Sequence, residues 1–249
     1  MMISTPRGAL VGALTGLWLT GCASSPTAAP AESSTGATQA FESAAPLLPS
    51  SLFPGSAERF KAWHCQPANQ HLVSADNDQV LRLWSLHGAW RLPQAVVADG
   101  ARYQNGEISV WDRGDNALVE TPRGQLTCQA AGTRGAMTRA ENPGVMFKGV
   151  LFESEGSGSP WQLTLAHDTP TVTLRAPSGQ TERFSYMLSV LDNQAGRVVL
   201  ESADVRPFFR VRIDAAACFD VDEAPYPARV TLTYQGEQYS GCGQGIAPN

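Results

Sequence analysis

Two side chains of opposite charge, Asp99 and Arg113, flank a hairpin signal in the stretch Pro93 to Glu120, PQAVVADGARYQNGEISVWDRGDNALVE. A guanidinium is a planar fork that can hold a carboxylate through two parallel hydrogen bonds, and a neighbouring acid either accepts a proton donor or neutralises that cation. Asn105-Gly106 favours a two-residue turn. That turn sets Gln104 opposite Glu107 and Ala98 opposite Arg113, so Asp99 and Arg113 become diagonal neighbours roughly 7 Å apart at the backbone. A bulge would shift this register by one residue and turn the side chains to the other face.

Catalytic and metal chemistry find little support elsewhere. There is no G-x-S-x-G elbow, H-E-x-x-H helix or P-loop, and the chain is not expected to be an enzyme. His64, His71, His87 and His167 have no recognised partner spacing and are expected at the surface or in loops. Asp76-Asn77-Asp78 has a turn composition without the other ligands of a calcium loop, and Asp220, Asp222 and Glu223 read as a solvated loop. No metal and no cofactor are expected. Trp63, Trp84, Trp90, Trp111 and Trp161 read as core or barrel-lining residues.

The elements that must position Asp99 and Arg113 are β-strands. Short alternating runs recur at Val80 to Trp84, Glu107 to Trp111, Trp161 to Leu165, Thr171 to Leu174, Phe209 to Ile213 and Arg229 to Tyr234. In Phe209-Arg210-Val211-Arg212-Ile213 the apolar residues take one face and the arginines the other, as a half-buried antiparallel strand requires. Gly, Pro and Asn punctuate these runs, and the one helical turn expected lies near Glu58 to Lys61. The fold class is all-β: two small antiparallel barrels or sandwiches in series, with a boundary near Gly132 to Gly144.

Cysteines partition the same two halves. Setting Cys22 aside leaves Cys65, Cys128, Cys218 and Cys242, which allow three pairings. Cys65 with Cys128 and Cys218 with Cys242 are expected, because each pair then closes one compact segment. No close C-x-x-C pair supports zinc instead.

The segment from about 58 to 130 resembles the membrane-bound inhibitors of c-type lysozyme. The resemblance rests on Gly100-Ala101-Arg102-Tyr103, Trp111, Arg113-Gly114 and Ala117, with Leu92-Pro93-Gln94 before the turn and Cys65 and Cys128 at the ends. It implies a protein partner, c-type lysozyme, whose two catalytic carboxylates are engaged by a Ser and a Lys at the positions that Asp99 and Arg113 occupy here. The contact candidates are therefore Asp99, Gly100, Ala101, Arg102, Tyr103 and Arg113. Arg113 keeps the family's charge. Asp99 departs from it, and at about 4 Å from an ionised carboxylate its repulsion approaches 4 kcal/mol at an effective dielectric of 20. The second half is similar to a widespread family of bacterial envelope domains in Phe152, Pro160-Trp161, Cys218-Phe219-Asp220, Pro225-Tyr226-Pro227, Val230 and Gly241-Cys242-Gly243. That likeness implies a fold and a compartment but no activity.

The beginning of the chain looks like a bacterial lipoprotein signal. Arg7 precedes an apolar run from Gly8 to Leu19, too short to span a bilayer, and Leu19-Thr20-Gly21-Cys22 follows. The resemblance implies removal of residues 1–21, lipid on Cys22, and, with Ala23 next, outer-membrane attachment on the periplasmic face. Residues 22–57 are rich in Ala, Ser, Thr and Pro and read as a flexible tether. Residues 58–130 then form the inhibitor-like barrel and 145–249 a second β domain. The 249 residues are long enough for both cores. The net charge of −5 argues against nucleic acid as a partner. The alternative function is a ligand-binding or structural envelope module using a barrel interior, expected in the second half.

Overall fold

The computed structural model describes residues 48–97, 100–137, 149–166, 171–203 and 208–246. Cys22, Ala98, Asp99, His167 and most of the expected boundary lie outside them.

Eight strands close the first barrel in sequence order: β1 Arg59–Gln66, β2 Gln70–Asp76, β3 Val80–Ser85, β4 Gly88–Ala95, β5 Ala101–Gln104, β6 Ser109–Asp112, β7 Asn116–Thr121 and β8 Gly124–Gly135. Eight more close the second: β9 Val150–Gly156, β10 Gln162–Ala166, β11 Thr171–Arg175, β12 Thr181–Asp192, β13 Arg197–Ser202, β14 Phe209–Phe219, β15 Pro225–Tyr234 and β16 Glu237–Gly245. Its strands follow one another around the wall, with β9 between β16 and β10. All pairings are antiparallel, so short hairpins suffice to connect them. Each barrel carries one disulfide, Cys65–Cys128 and Cys218–Cys242, in the expected pairing.

Alternation explains most of the wall. On β14, Phe209, Val211 and Ile213 are fully buried while Arg210 and Arg212 face outward. Leu72, Leu81, Leu83, Leu92, Tyr103, Val110 and Val119 fill the first barrel. The second interior is packed with Leu163, Leu165, Val172, Leu174, Leu200, Phe209 and Val211.

Strands β1 to β3 are apolar on both faces. Phe60, Val73, Ala75 and Trp84 point away from their own barrel and join the core cluster of the second, where β14 and β15 contact β1 to β4. The two barrels therefore share buried surface.

Several expectations need correcting. Glu58 to Lys61 is not a helical turn, because Arg59 already pairs with Gly135 and Lys61 with both Ser74 and Thr133. The helical turn among the described residues is a 3-10 turn at Ser50–Leu52. Residues 48–57, assigned to the tether by composition, are packed: Leu52 is fully buried, and the Trp84 indole N–H donates to the Ser51 carbonyl at 2.7 Å. The first barrel runs to Gly135 rather than 130, since β1 needs a partner along its whole length.

Candidate functional site

The hairpin that carries the expected site differs from a two-residue turn. Asn105 Oδ1 accepts from the Glu107 and Ile108 amides at 3.1 and 3.0 Å, and the Asn105 amide donates to the Ile108 carbonyl at 3.2 Å. The result is a four-residue loop, with Gly106 in the left-handed region at φ +91°. Asn side chains mimic backbone in this way, and here the mimic outcompetes the tighter turn. Gln104 consequently pairs with Ser109 and Ala101 with Asp112. Every pair moves by two residues, so each side chain keeps its expected face.

The β2–β3, β4–β5 and β6–β7 connections meet at one end of the first barrel. Arg113 opens the β6–β7 turn, exposed, with its guanidinium 4.2 Å from the centre of the Trp111 ring. Among the described residues no carboxylate pairs with it. Gly100 sits on the same indole: a Cβ there would lie 2.9 Å from Trp111 Nε1, and its φ of +69° favours glycine.

The turn itself is clamped. Asp112 Oδ1 accepts from the Gly114 amide at 2.8 Å, and its Oδ2 lies 3.7 Å from Lys61 Nζ. Lys61 Nζ also donates to the Gly114 carbonyl and lies 4.1 Å from the Trp63 ring centre. One carboxylate and one ammonium thus hold both backbone groups of Gly114, the residue after Arg113. Asp76, at the end of β2, is drawn into the same electrostatic group. Burial first, then Asp112 and Asp78, push its carboxyl above the usual range, while Lys61 pulls it down.

The remaining expected contact residues divide. Ala101 is half-buried opposite Asp112. Arg102 lies on the outer wall, donating to Ser109 Oγ at 2.9 Å and paired with Glu120 at 3.2 Å. Tyr103 is only 2 % exposed, inside the barrel, and burial together with Asp76 and Asp112 pushes its phenol up to about 12. A direct side-chain contact is therefore replaced by a core role for Tyr103. Gly100 and Arg113 are brought together at the rim. Asp99 lies outside the described residues. Lys61, which sequence reasoning missed, lies in a different strand, and its signal was only the Lys-x-Trp spacing of Lys61 and Trp63 on one face.

The other expected polar clusters are ordinary turns. Asn77 Oδ1 accepts from the Val80 amide at 2.9 Å, and Asp220 Oδ1 from the Asp222 and Ala224 amides at 2.9 and 2.8 Å. Among the described residues no group of three or more His, Cys, Asp or Glu is arranged to hold a metal ion. No helix among them is long and apolar enough to cross a membrane. His64 and His71 lie in β1 and β2, His64 exposed as expected and His71 half-buried; their rings meet edge to face at 4.4 Å, and His71 meets Phe219 of the second barrel at 5.7 Å.

The first barrel is closed by one disulfide and displays a clamped, cation-bearing turn at its rim. Residues 63–127 match the family model of the membrane-bound lysozyme-inhibitor of c-type lysozyme, from within β1 to the residue before Cys128. The match covers about a quarter of the 249 residues. No curated protein matches the chain.

Proposed function

We propose that this chain binds c-type lysozyme and inhibits it by inserting the β6–β7 turn and the adjoining β4–β5 loop into the catalytic cleft. The observation that carries the reading is Arg113, exposed and without an acid partner among the described residues, on a turn whose next residue is fixed by Lys61 and Asp112. Lysozyme offers one protonated and one ionised carboxyl group. Arg113 would take the ionised group through a bidentate contact. Asp99 stands where the inhibitor family carries Ser, and in this reading it weakens the contact by like-charge repulsion. Lipid on Cys22 would hold the module at the periplasmic face of the outer membrane, where plugging the cleft protects peptidoglycan.

The test is a cell-wall turbidity assay with c-type lysozyme and the full chain. Arg113→Ala should weaken inhibition by about a hundredfold or more, the range for truncating one partner of a desolvated charge pair. Asp99→Ser should strengthen it. No protection by micromolar wild-type protein would remove the proposal, and the reverse response of the two variants would mean that the contact lies elsewhere.

The opposite end of the barrel favours a second reading. A cleft of about 680 Å³ opens between the hairpin turns there, floored by Leu72, Leu83, Ile108, Val119 and Leu126 beside Trp90. Its size and apolar floor suit a small ligand, and it lies in the first barrel rather than the second.

A further inference from the structure

Five arginines far apart in sequence gather along one seam between the barrels. Arg82 and Arg91 stand directly opposite each other on the outer face of β3 and β4, and both line a small hollow of about 130 Å³ beside the β12–β13 turn. A second hollow of the same size shares Ala195 with the first and is lined by Arg197, Arg212, Arg229 and Asp214. Five guanidiniums and one carboxylate line the two hollows, and Asp192, opposite Arg197 at the turn, is a second acid, so positive charge is in excess there on a chain whose formal net charge is −5.

The arrangement is costly to keep. Like charges directly opposite on neighbouring strands destabilise a sheet. Burial, and then Arg91, push the Arg82 guanidinium below its ordinary range. Among the described residues its polar contact is a backbone carbonyl, that of Ser50 at 2.8 Å.

The second hollow is organised. Asp214 takes the Nε of Arg197 at 2.6 Å and the Nε of Arg212 at 2.7 Å. Bonding through Nε leaves the outer nitrogens of Arg197 unpaired among the described residues, while Arg212 spends one on Asp214 at 3.2 Å. Arg229 lies directly opposite Asp214 on β15 yet forms no ion pair among the described residues. A carboxylate that fixes two arginines side by side, with a third adjacent, leaves the unpaired donors of three arginines lining one concavity. Concave sites of one charge sign concentrate the opposite ion, and planar guanidinium forks match phosphate oxygens.

We infer that this seam is a binding site for phosphate-bearing ligands, with Arg197, Arg212 and Arg229 holding one phosphoryl group and Arg82 and Arg91 a second negative group beyond Ala195. The shared chemistry is a phosphate ester or anhydride, whether carried by a soluble molecule or by a lipid headgroup.

The test uses the full chain at low salt and two probes, pyrophosphate followed by calorimetry and sedimentation with phosphatidate-containing vesicles against pure phosphatidylcholine vesicles. Saturable pyrophosphate binding assigns a soluble ligand; binding to phosphatidate vesicles alone assigns a headgroup. In either case Arg91→Gln with Arg229→Gln should lower affinity by about tenfold or more, two lost charge-assisted contacts, while lysozyme inhibition stays unchanged because both residues lie away from the rim. Without any anion, Arg91→Gln alone should melt higher than wild type, since it removes a like-charge pair. No binding to either probe, equal binding by the double variant, or a lower melting temperature for Arg91→Gln would overturn the assignment.

Discussion

Replacing Lys61 by Met tests whether the rim is a built device or an ordinary loop. Lys61 and Asp112 have side chains only 22 % and 17 % exposed and lie 3.7 Å apart. At an effective dielectric of 20 their gross attraction is about 4 kcal/mol. Desolvation removes part of that, and the bond to the Gly114 carbonyl adds about 1 kcal/mol. Methionine keeps the apolar stem against Trp63 but leaves Asp112 beside Asp76 with no cation between them. The expected loss is about 2 kcal/mol, or roughly 4 to 8 °C in Tm for a folded unit of this size. Two readouts separate the clasp from generic destabilisation. In an NMR titration Asp76 should move further up in Lys61→Met, which loses the group that lowers it, and down in Asp112→Asn, which loses one that raises it. Lysozyme inhibition by Lys61→Met should fall about tenfold although Arg113 is intact, because the turn that presents it is no longer fixed. Unchanged stability and an unmoved Asp76 would refute the reasoning.

Alkaline pH should unfold the protein before its exposed groups would suggest. Burial raises the phenols of Tyr103, Tyr186 and Tyr234 to about 12 and that of Tyr226 as well. The native state thus holds protons that the unfolded chain releases near pH 10, so stability present below pH 10 is lost as pH rises toward 12. Urea titrations at pH 8, 10 and 11 measure it, and full tyrosinate absorbance near pH 10.5 in a folded protein would contradict it. Gly241→Ala should cost about 3 kcal/mol, because its Cβ would sit 2.1 Å from the Glu155 carbonyl and 2.5 Å from the Trp161 ring. Gly132→Ala, with nothing within 4 Å, is the control and should change stability by less than about 0.5 kcal/mol. Removing Cys65–Cys128 should destabilise by about 4 kcal/mol and removing Cys218–Cys242 by about 3.5 kcal/mol, from loop-closure entropy over sequence separations of 63 and 24. Denaturation of the paired Cys→Ala variants would show whether that order holds.

Much of the wall was legible because one face of it meets water. The run from Phe209 to Ile213 announces a strand and its orientation by alternation alone, and the structure keeps both. Where a second partner covers the outer face the signal fails. Leu72-Val73-Ser74-Ala75 reads as a buried run without a face, since Leu72 fills its own barrel while Val73 and Ala75 pack on the other. The same docking turns Leu52, within a fragment of apparent tether, into core. Composition sees polarity along the chain, and burial here is decided by a surface from elsewhere in it.

The rim and the seam show the same limit acting on charge. The position of Arg113 at a hairpin end was legible because hairpin pairing is local and a register change of two residues preserves which face a side chain takes. Lys61, which fixes the turn, comes from β1, and only barrel closure brings its ammonium within 3.7 Å of the Asp112 carboxylate of β6. The arginine seam is more distant still. Arg82 and Arg91 come together through one strand pair, and Arg197, Arg212 and Arg229 through two others. The two groups become neighbours only because β14 packs on β3 and β4. Local pairing therefore carries half of each site, and packing between the barrels supplies the rest. Variants that loosen the barrel interface should accordingly disperse the seam while leaving the Arg113 turn in place. Trp84→Ala, which empties a buried interface position and the bond to Ser51, should abolish binding of the phosphate probe that the wild type takes before it affects lysozyme inhibition. Equal loss of both activities would show that the barrels stand or fall together.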